Sequence, residues 1–325
     1  MQKPILVIGG AGYIGSHVVR MLTQQGYRPV VLDDLSKGHR QAVAHVPLEI
    51  GNFGQPDILA TVFKKYDIGA VIHLAAFSEV EESVHRPDKY HQNNTAYVQT
   101  LLDTMAAHQV YHVVFSSSAA VFGEPTQPQL SENHPCAPLN PYGASKLAAE
   151  NLFSRAQASH GIHTAILRYF NAAGADESAE IGESHSPETH LIPLILQTAA
   201  GKRPHFTLFG NDYPTPDGTC IRDFVHVNDL ASAHLLALAY LFKTQQSQTF
   251  NLGSETGYSV AQVVQAAKEV CGVDFPLQLA PRRPGDPARL VASSQRAKQL
   301  LGWYPTRDLK HILQTAWQWE QHRRY

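Results

Sequence analysis

The 325-residue sequence has few cysteines, no long apolar run and almost no net charge. Its three cysteines (Cys136, Cys220 and Cys271) are isolated, which argues against a disulfide framework or a Cys-x-x-Cys metal site. No apolar run approaches the roughly 20 residues that a membrane-spanning helix needs. The net charge of −2 gives no electrostatic reason to bind nucleic acid or an anionic membrane. We therefore expect no nucleic-acid partner and no membrane association.

Histidine is plentiful, but its spacing matches no metal motif. The 18 histidines include no His-Glu-x-x-His arrangement, so we expect no bound metal. No basic leader with a cleavage site precedes the first apolar segment at Ile5, which favours a cytoplasmic protein. A hydrophobic fraction of 43% with 17% charged residues is that of a folded chain with one large core or two modest ones.

The most informative stretch is a glycine-rich turn close to the N-terminus. Residues 5–8 are apolar and β-branched, which predicts a buried strand, and a helical pattern follows the glycines. Gly10, Gly12 and Gly15 fit G-x-G-x-x-G, and Gly9 replaces Gly10 in the looser G-x-x-G-x-x-G. A side chain in such a turn would keep a pyrophosphate away from the backbone N–H groups and the helix N-terminus. The turn therefore predicts a dinucleotide site.

An acidic residue at the end of the next strand supports this prediction. Residues 28–32 form a second apolar strand, and Asp33 follows 18 residues after the last glycine of the turn. A carboxylate there can accept both ribose hydroxyls of an adenosine and repels a 2′-phosphate, which favours NAD over NADP. Lys37, His39 and Arg40 lie close enough in sequence to keep NADP as the alternative.

Apolar strands and amphipathic helices alternate as far as Tyr169, and then the pattern changes. The alternation predicts a doubly wound parallel sheet of the Rossmann type. Residues 172–220 are rich in Gly, Pro, His and acids, and a strand near 248–253 returns to the sheet. The predicted fold class is α/β, with a smaller, mixed C-terminal substrate domain. We expect an NAD-binding domain of residues 1–171 plus 225–254 and a nucleotide-sugar domain of residues 172–224 plus 255–325.

A serine, a tyrosine and a lysine provide candidates for acid–base chemistry. Ser116, Ser117 and Ser118 end one strand, where they either satisfy loop backbone groups or bind a reacting oxygen. Tyr142 and Lys146 are four residues apart near the start of a helix, so they share one face. An ammonium beside a phenol favours phenolate, so we expect Tyr142 to have a pKa below ~10 and to act on a sugar hydroxyl.

Several motifs together resemble the extended short-chain dehydrogenase/reductase family, with a match that runs almost from end to end. They are residues 9–17, 115–119, 141–146, 167–171 and, most specific, 209–219 followed by Arg222-Asp223 and His226-Val227. The resemblance implies 4-epimerisation of UDP-glucose and UDP-galactose through a transient 4-keto sugar, with NAD reduced and reoxidised within one turnover. It also implies roles: Tyr142 takes the 4′-hydroxyl proton, Ser118 holds the same oxygen, and Lys146 binds the nicotinamide ribose.

The resemblance also implies which residues contact the cofactor and the UDP-sugar substrate. The expected catalytic residues are Tyr142, Lys146 and Ser118. The expected cofactor-binding residues are Gly9, Gly12, Tyr13, Ile14, Gly15, Asp33, Asp34, Leu35, Asn52, Phe53, Leu74, Ala75, Ala76, Asn93, Ser116, Tyr142, Lys146 and Tyr169. The expected substrate-binding residues are Ser118, Asn171, His190, Leu191, Thr207, Phe209, Arg222, Arg283, Asp286 and Leu290. A homodimer through the helices that contain Tyr90 and Tyr142 is implied as well.

Other members of the same family provide the alternatives. They are a 4-epimerase of UDP-N-acetylglucosamine, UDP-glucuronate or UDP-xylose, a decarboxylase, and a 4,6-dehydratase. A 4,6-dehydratase needs an acid–base pair directly after Ser118, where Ala119 and Ala120 stand. A non-catalytic NAD-sensing protein has no use for Tyr142 and Lys146. Leu290 stands where relatives that reject N-acetylated sugars have tyrosine, so we also expect N-acetylated substrates to be accepted.

Overall fold

The computed structural model describes residues 3–283 and 285–325. The strands are β1 (Ile5–Ile8), β2 (Pro29–Asp33), β3 (Leu48–Ile50), β4 (Ala70–His73), β5 (His112–Ser118), β6 (His163–Tyr169), β7 (Asn171–Ala173), β8 (Phe206–Phe209), β9 (Ile221–His226), β10 (Gln248–Leu252), β11 (Gly257–Ser259), β12 (Leu277–Ala280) and β13 (Arg289–Leu290). The α-helices are α1 (Tyr13–Gln24), α2 (Pro56–Tyr66), α3 (Val80–His85), α4 (Pro87–His91), α5 (Tyr97–Ala107), α6 (Pro141–His160), α7 (Leu191–Ala199), α8 (Val227–Thr244), α9 (Val260–Cys271), α10 (Gln295–Leu301) and α11 (Leu309–His322).

Seven parallel strands form the main sheet, in the order β3-β2-β1-β4-β5-β6-β10. The strand order reverses between β1 and β4, which is the switch point where ligands bind in doubly wound folds. All four residues of β1 are buried because helices cover both faces of the sheet. One apolar core lies between the sheet and α1 and α8, and a second lies between the sheet and α2, α5 and α6. This arrangement confirms the predicted fold class.

A smaller unit lies beside the carboxyl ends of the main-sheet strands. Its central strand β9 pairs in parallel with β7 and β13 and antiparallel with β11. β8 and β12 form a separate parallel pair. Helices α7, α9 and α11 share an apolar core with these strands. The division into residues 1–171 plus 225–254 and 172–224 plus 255–325 stays a proposal. β9 crosses the boundary at residue 225, and Ala297, Leu301 and Trp303 pack in the core of the main sheet.

Some elements differ from those expected from the sequence. The apolar periodicity of residues 90–108 favours one continuous helix, but a π-helical turn interrupts it at Gln92–Ala96. The apolar residues at 46–50 favour a strand, of which only Leu48–Ile50 forms one. The sequence pattern also left out α11 and the β8–β12 pair, whose strands are far apart in the chain and recognisable only by their pairing. Among the described residues, no helix is long and apolar enough to cross a membrane.

Candidate active site

A cavity of about 660 Å³ opens at the carboxyl ends of the main-sheet strands and extends to the smaller unit. Most of the predicted site residues line it: Gly9, Gly12, Tyr13, Ile14, Gly15, Asp33, Asp34, Asn52, Phe53, Leu74, Ala75, Ala76, Asn93, Ser118, Tyr142, Lys146, Tyr169, Asn171, His190, Leu191, Arg222, Asp286 and Leu290. Five predicted residues lie outside the wall: Leu35, Ser116, Thr207, Phe209 and Arg283. The fold thus brings segments from both halves of the chain to one cavity.

Three of those five residues lie together on the side of β8. Thr207 and Phe209 belong to β8, and 39% of Phe209 is exposed. The Arg283 guanidinium lies 5.1 Å from the centre of the Phe209 ring, and its Nε donates to Asp286 Oδ2 at 3.1 Å. Asp286 itself lines the cavity, so Arg283 and Phe209 are connected to the cavity wall through the Asp286 carboxylate.

The glycine turn between β1 and α1 forms one end of the cavity. Gly9 has φ +79°, and a Cβ there would lie 2.5 Å from the Ala75 nitrogen. A Cβ on Gly15 would lie 2.1 Å from the Gly9 carbonyl oxygen. Gly12 caps α1 without a side-chain hydrogen bond, so the first N–H groups of the helix are free for an anion. The turn therefore has the backbone that a pyrophosphate requires.

The Asp33 carboxylate connects the end of β2 to this turn. Oδ2 accepts from the Ala11 N–H and Oδ1 from the Leu35 N–H, both at 2.9 Å. Burial raises the pKa of Asp33, and these two hydrogen bonds oppose the shift. Each carboxylate oxygen keeps a second lone pair for a ribose hydroxyl. Leu35, with φ 60°, contributes its backbone rather than a cavity contact.

Two of the three basic residues that kept NADP as an alternative have protein partners. Lys37 Nζ donates to Glu79 Oε1 at 2.6 Å and to the Ser186 carbonyl at 3.3 Å. His39 Nε2 lies 2.9 Å from the Ser184 carbonyl oxygen. Lys37 is thus paired with an acidic residue, and His39 is held by a backbone carbonyl. Both contacts are consistent with NAD.

The π-helical turn places an asparagine pair beside the cofactor end of the cavity. Asn94 is buried, accepts from the Phe77 N–H at 3.0 Å and donates to the Phe77 carbonyl at 2.9 Å and to Ser145 Oγ at 3.0 Å. Asn93 donates to Asn94 Oδ1 at 3.0 Å and lines the cavity. Both asparagines belong to the π-helical turn, a feature that is frequent at functional sites. Asn52 Oδ1 accepts from the backbone N–H two residues later at 2.7 Å, so it caps a turn as well as lining the cavity.

Tyr142 and Lys146 lie on the buried face of α6, opposite the end of β5. Lys146 is 3% exposed, and its Nζ donates to the Ser116 carbonyl at 2.8 Å. Burial lowers the pKa of Lys146 to about 7. The Ser116 hydroxyl instead pairs with His234 Nε2 at 2.7 Å, and the Ser118 hydroxyl accepts from the Ala120 N–H at 3.2 Å. Ser116 therefore positions the lysine through its backbone and lies behind the cavity wall.

The expected low pKa of Tyr142 is wrong. Burial raises the pKa of Tyr142, and the neighbouring Ser118 hydroxyl only opposes this shift. The lysine cannot outweigh burial because its Nζ is directed to the Ser116 carbonyl and its own pKa is lowered. Burial therefore influences the phenol more than the neighbouring lysine does.

A buried ion pair behind Lys146 was missed by sequence reasoning. Glu150 lies one helical turn after Lys146, and Arg168 of β6 donates to it through Nη2 at 2.6 Å and through Nε at 2.9 Å. Ser117 donates to the same carboxylate at 2.5 Å. The negative charge of Glu150 raises the pKa of Lys146 and opposes the effect of burial. The four-residue spacing of Lys146 and Glu150 was the available signal.

Charged and amide groups line the opposite end of the cavity. Arg222 on β9 donates through Nη1 to the Pro287 carbonyl at 2.8 Å, and its Nη2 lies 3.5 Å from Asp286 Oδ1. Asn171 donates to the Asp223 carbonyl at 2.9 Å. These contacts fix the Arg222 guanidinium and the Asn171 amide at the wall, where an anionic ligand can meet them.

Leu290 lies in the cavity wall between the two ends. It belongs to β13, directly opposite Arg222 in the register with β9, and it packs against an apolar cluster that includes Phe122 and Phe170. The side chain therefore has both a packing role and a surface facing the cavity.

Four acidic and histidine side chains that the sequence did not connect lie together before α7. His190 Nδ1 is 2.8 Å from Glu183 Oε1 and 3.0 Å from Glu188 Oε1. His185 Nδ1 is 3.2 Å from Glu183 Oε1 and 3.7 Å from Glu188 Oε2. Although burial opposes it, the carboxylates raise the pKa of His185 to about 9. The alternating Glu-x-His pairs at 183–185 and 188–190 were the only sequence signal.

Comparison with known proteins agrees with this site. The chain matches the NAD dependent epimerase/dehydratase family over residues 5–253. It is 49% identical to UDP-glucose 4-epimerase from Halalkalibacterium halodurans, over 98% of this chain and 95% of the relative. It is 48% identical to UDP-glucose 4-epimerase from Streptococcus mutans, over 97% of this chain and 96% of the relative.

Solved structures give the same result. UDP-glucose 4-epimerase from Brucella ovis in complex with NAD superimposes with a TM-score of 0.95 and 42% identity, covering 97% of this chain and 98% of that one. The UDP-Glc/GlcNAc 4-epimerase from Campylobacter jejuni superimposes with a TM-score of 0.86 and 41% identity, covering 99% and 100%. On this evidence, the chain belongs to the NAD dependent epimerase/dehydratase family.

Proposed function

We propose that this protein is an NAD-dependent 4-epimerase that interconverts UDP-glucose and UDP-galactose. The carrying observation is that Tyr142 and Ser118 share one cavity with the glycine turn on one side and Arg222 on the other. A sugar held between a nicotinamide and a diphosphate-binding arginine then lies beside an acid–base group. The near full-length similarity to UDP-glucose 4-epimerases supports the same reaction.

The residues of the first half fit NAD. The free N–H groups at the start of α1 suit a pyrophosphate, and the open lone pairs of Asp33 suit the adenosine ribose. Lys146 is placed to donate to the nicotinamide ribose with the N–H groups that the Ser116 carbonyl leaves free. When bound, NAD supplies the hydride acceptor and a positively charged ring that favours the phenolate of Tyr142.

Tyr142 is the proposed base for the sugar 4′-hydroxyl. Its phenolate accepts that proton while the carbon–hydrogen bond at C4′ breaks, and the phenol returns the proton after the sugar has turned over. Ser118 hydrogen-bonds the same oxygen and keeps it near the phenol. Tyr142 and Ser118 stay in place while the sugar turns. The same two groups therefore serve the 4′-oxygen whichever face of the sugar is presented.

Rotation of the keto sugar requires unequal binding of the two ends of the substrate. Arg222, Asn171 and Asp286 offer charged and amide contacts to the nucleotide diphosphate and ribose, whereas Ala119, Ala120 and Leu290 give the sugar region few polar contacts. A tight nucleotide grip beside a weak sugar grip lets the intermediate turn without leaving. Ala119 and Ala120 also leave the position after Ser118 without the acid that a 4,6-dehydratase needs.

A test of this function measures the product and the cofactor together. Incubation with UDP-glucose should give UDP-galactose by proton NMR, with NAD acting catalytically and no NADH accumulating in proportion to product. Stoichiometric NADH formation would instead identify a net dehydrogenase. A 4-keto-6-deoxy product would identify a dehydratase, and no turnover with any UDP-sugar would favour the NAD-sensing alternative.

Replacement of the proposed base makes the test specific. Tyr142→Phe keeps the ring but removes the proton acceptor, so kcat should fall by at least ~10²-fold while bound NAD is retained. Tyr304→Phe at an exposed tyrosine is the matched control and should leave kcat unchanged. Near-normal turnover of Tyr142→Phe would require a different base.

We further propose that the protein is a cytoplasmic homodimer in which the helical segments that contain Tyr90 and Tyr142 pack together in two copies. These segments are α4, which continues through the π-helical turn into α5, and α6. Exposed positions along α6 include Ala144, Asn151 and Ser154, which are available for contact with a second copy. The family resemblance supplies the pairing itself. Light scattering after size-exclusion chromatography should give twice the chain mass, and the mass of a single chain would contradict the proposal.

A further inference from the structure

The Glu183, His185, Glu188 and His190 side chains form a compact group of nitrogen and oxygen donors. One donor atom from each residue lies within 4.8 Å of the other three. The four Glu–His distances run from 2.8 to 3.7 Å, with Glu188 reached through Oε1 from His190 and through Oε2 from His185. Tetrahedral zinc with bonds of about 2.0–2.2 Å keeps its ligand atoms about 3.4 Å apart. The group is therefore already close to the spacing that one ion would need.

Two of the donor atoms have no other partner. Among the described residues, Glu188 Oε2 and His185 Nδ1 are buried and make no hydrogen bond, although they lie 3.7 Å apart as an ion pair. The Glu188 side chain is only 3% exposed. A buried carboxylate oxygen that makes no hydrogen bond destabilises the folded state, and such atoms are rare in folded proteins. An ion between the four side chains would satisfy both atoms.

The backbone around the group is held in place before any ligand binds. The Glu183 carbonyl accepts from Trp319 Nε1 at 2.7 Å and from Arg323 Nη2 at 3.0 Å. Glu188 Oε1 accepts from the N–H groups of Thr189 and His190 at 2.8 and 2.9 Å. Preorganised ligands lower the cost of binding because the segment is ordered on folding.

We propose that Glu183, His185, Glu188 and His190 bind one divalent transition-metal ion, with Zn²⁺ the best match. Imidazole nitrogen and carboxylate oxygen are both zinc ligands, and a four-residue set leaves no open position. The metal is therefore structural. This proposal differs from the sequence-based expectation that the chain binds no metal. It also makes His190 a metal ligand instead of a substrate-binding residue.

The ion would connect two walls of the candidate active site. The His185 ring meets the Tyr13 ring edge-on at 6.4 Å, and Tyr13 begins the helix of the glycine turn. His190 caps α7, whose first residue, Leu191, lines the cavity. An ion at this point fixes the segment between the cofactor end and the substrate end of the cavity.

The test measures zinc itself on the whole protein, produced without a histidine tag. After chelator treatment, Zn²⁺ alone is titrated against a chromophoric chelator, and the bound metal is counted by mass spectrometry. We expect one zinc per chain. Zinc at 100-fold its Kd should raise Tm by on the order of 5 °C, since a ligand of the folded state stabilises it by mass action.

Paired variants assign the zinc to this group. Glu188→Gln keeps an oxygen for the two backbone N–H groups but loses the charge, and His185→Gln removes the unpartnered nitrogen. Each should weaken zinc binding by at least ~10-fold, with unchanged circular dichroism. Glu269→Gln and His45→Gln are the controls. Both residues are exposed and lie outside the cluster of possible metal ligands found among the described residues, so both variants should bind zinc as the wild type does.

Two results would overturn the proposal. If the wild type holds no more zinc than Glu188→Gln does, the four residues form only a hydrogen-bonded ion cluster. Zinc that binds equally to wild type and both ligand variants would lie elsewhere on the chain. Because metal content and Tm are read without turnover, these results do not depend on the proposed reaction.

Discussion

At the level of single residues, burial sets the charges in the cavity more strongly than sequence neighbours do. Lys146 has a pKa of about 7 in the folded chain because it is buried. In the unfolded chain the same lysine titrates at its ordinary value of about 10. Between these values the unfolded chain holds a proton that the folded chain has lost, so stability rises with pH across this window.

The resulting prediction is a pH-dependent stability difference in protein freed of cofactor. From pH 7 towards pH 10, the free energy of unfolding of wild type should rise relative to that of Lys146→Met by on the order of 1 kcal/mol per pH unit. Chemical denaturation at several pH values measures it, with Lys243→Met at an exposed lysine as the control. A constant difference across this range would show that Lys146 is not held at a lowered pKa.

Leu290 carries the prediction on substrate choice. A tyrosine ring in its place would fill space that the 2′-acetamido group of an N-acetylated sugar needs while the sugar turns. Leu290→Tyr should therefore cost UDP-N-acetylglucosamine over ~1 kcal/mol more than UDP-glucose in kcat/KM. Leu290→Met, of similar volume, should affect both substrates equally. Equal losses in Leu290→Tyr, or wild type inactive on the acetylated sugar, would refute this role.

Among the secondary-structure elements, β9 depends on one buried carboxylate. Asp223 accepts from the Ser254 N–H at 2.7 Å and from Ser254 Oγ at 2.6 Å. It also accepts from the Glu255 and Ala292 N–H groups, both at 3.1 Å. The carboxylate thus joins the strand that carries Arg222 to the segments after β10 and β13.

Asp223→Asn should destabilise the protein clearly, although it changes only one atom. The amide NH₂ must face N–H donors on one side, and each buried donor left unpaired costs ~1–3 kcal/mol. We expect Tm to fall by on the order of 5 °C in differential scanning calorimetry. Asp274→Asn, at a side chain that is 87% exposed, is the control. A Tm within one degree or so of wild type would show that the four contacts contribute little.

In the molecule as a whole, α11 and the residues after it connect the two ends of the cavity. Trp319 and Arg323 donate to the Glu183 carbonyl, and Ser184 donates to the carbonyl of Tyr325 at 3.1 Å. The Tyr325 ring stacks on His39 at 4.6 Å, close to the cofactor end. The C-terminal segment therefore positions the residues between the cofactor and the substrate.

Trp319→Phe tests this connection. The ring is kept, but the Glu183 carbonyl loses its 2.7 Å hydrogen bond, so Tm should fall by about 2–4 °C. KM for the UDP-sugar should rise more than kcat falls, because the change loosens the wall and leaves Tyr142 in place. Trp317→Phe, at a partly buried tryptophan of the same helix, is the control. An unchanged KM in Trp319→Phe would mean that the segment does not influence the site.

Local patterns in the sequence determined the parts of this protein that depend on neighbouring residues. The glycine turn, the acid after β2 and the alternation of strands and helices each follow from backbone geometry and apolar periodicity within short segments. They therefore predicted the Rossmann-type sheet, and they placed Tyr142 and Lys146 together on one helix face. The family resemblance added Arg222, Asp286 and Leu290, which do line the cavity.

Tertiary structure alone decided the features that depend on distant residues. The pKa of Tyr142 is raised because the whole fold removes water from the phenol, which a local Tyr–Lys spacing cannot reveal. Glu150 on α6 forms an ion pair with Arg168 on β6. β8 pairs with β12, which lies some seventy residues later in the chain. The Glu183–His190 group is assembled by a loop whose path is set by Trp319 and Arg323. Burial and long-range contacts are properties of the folded chain, and no short segment contains them.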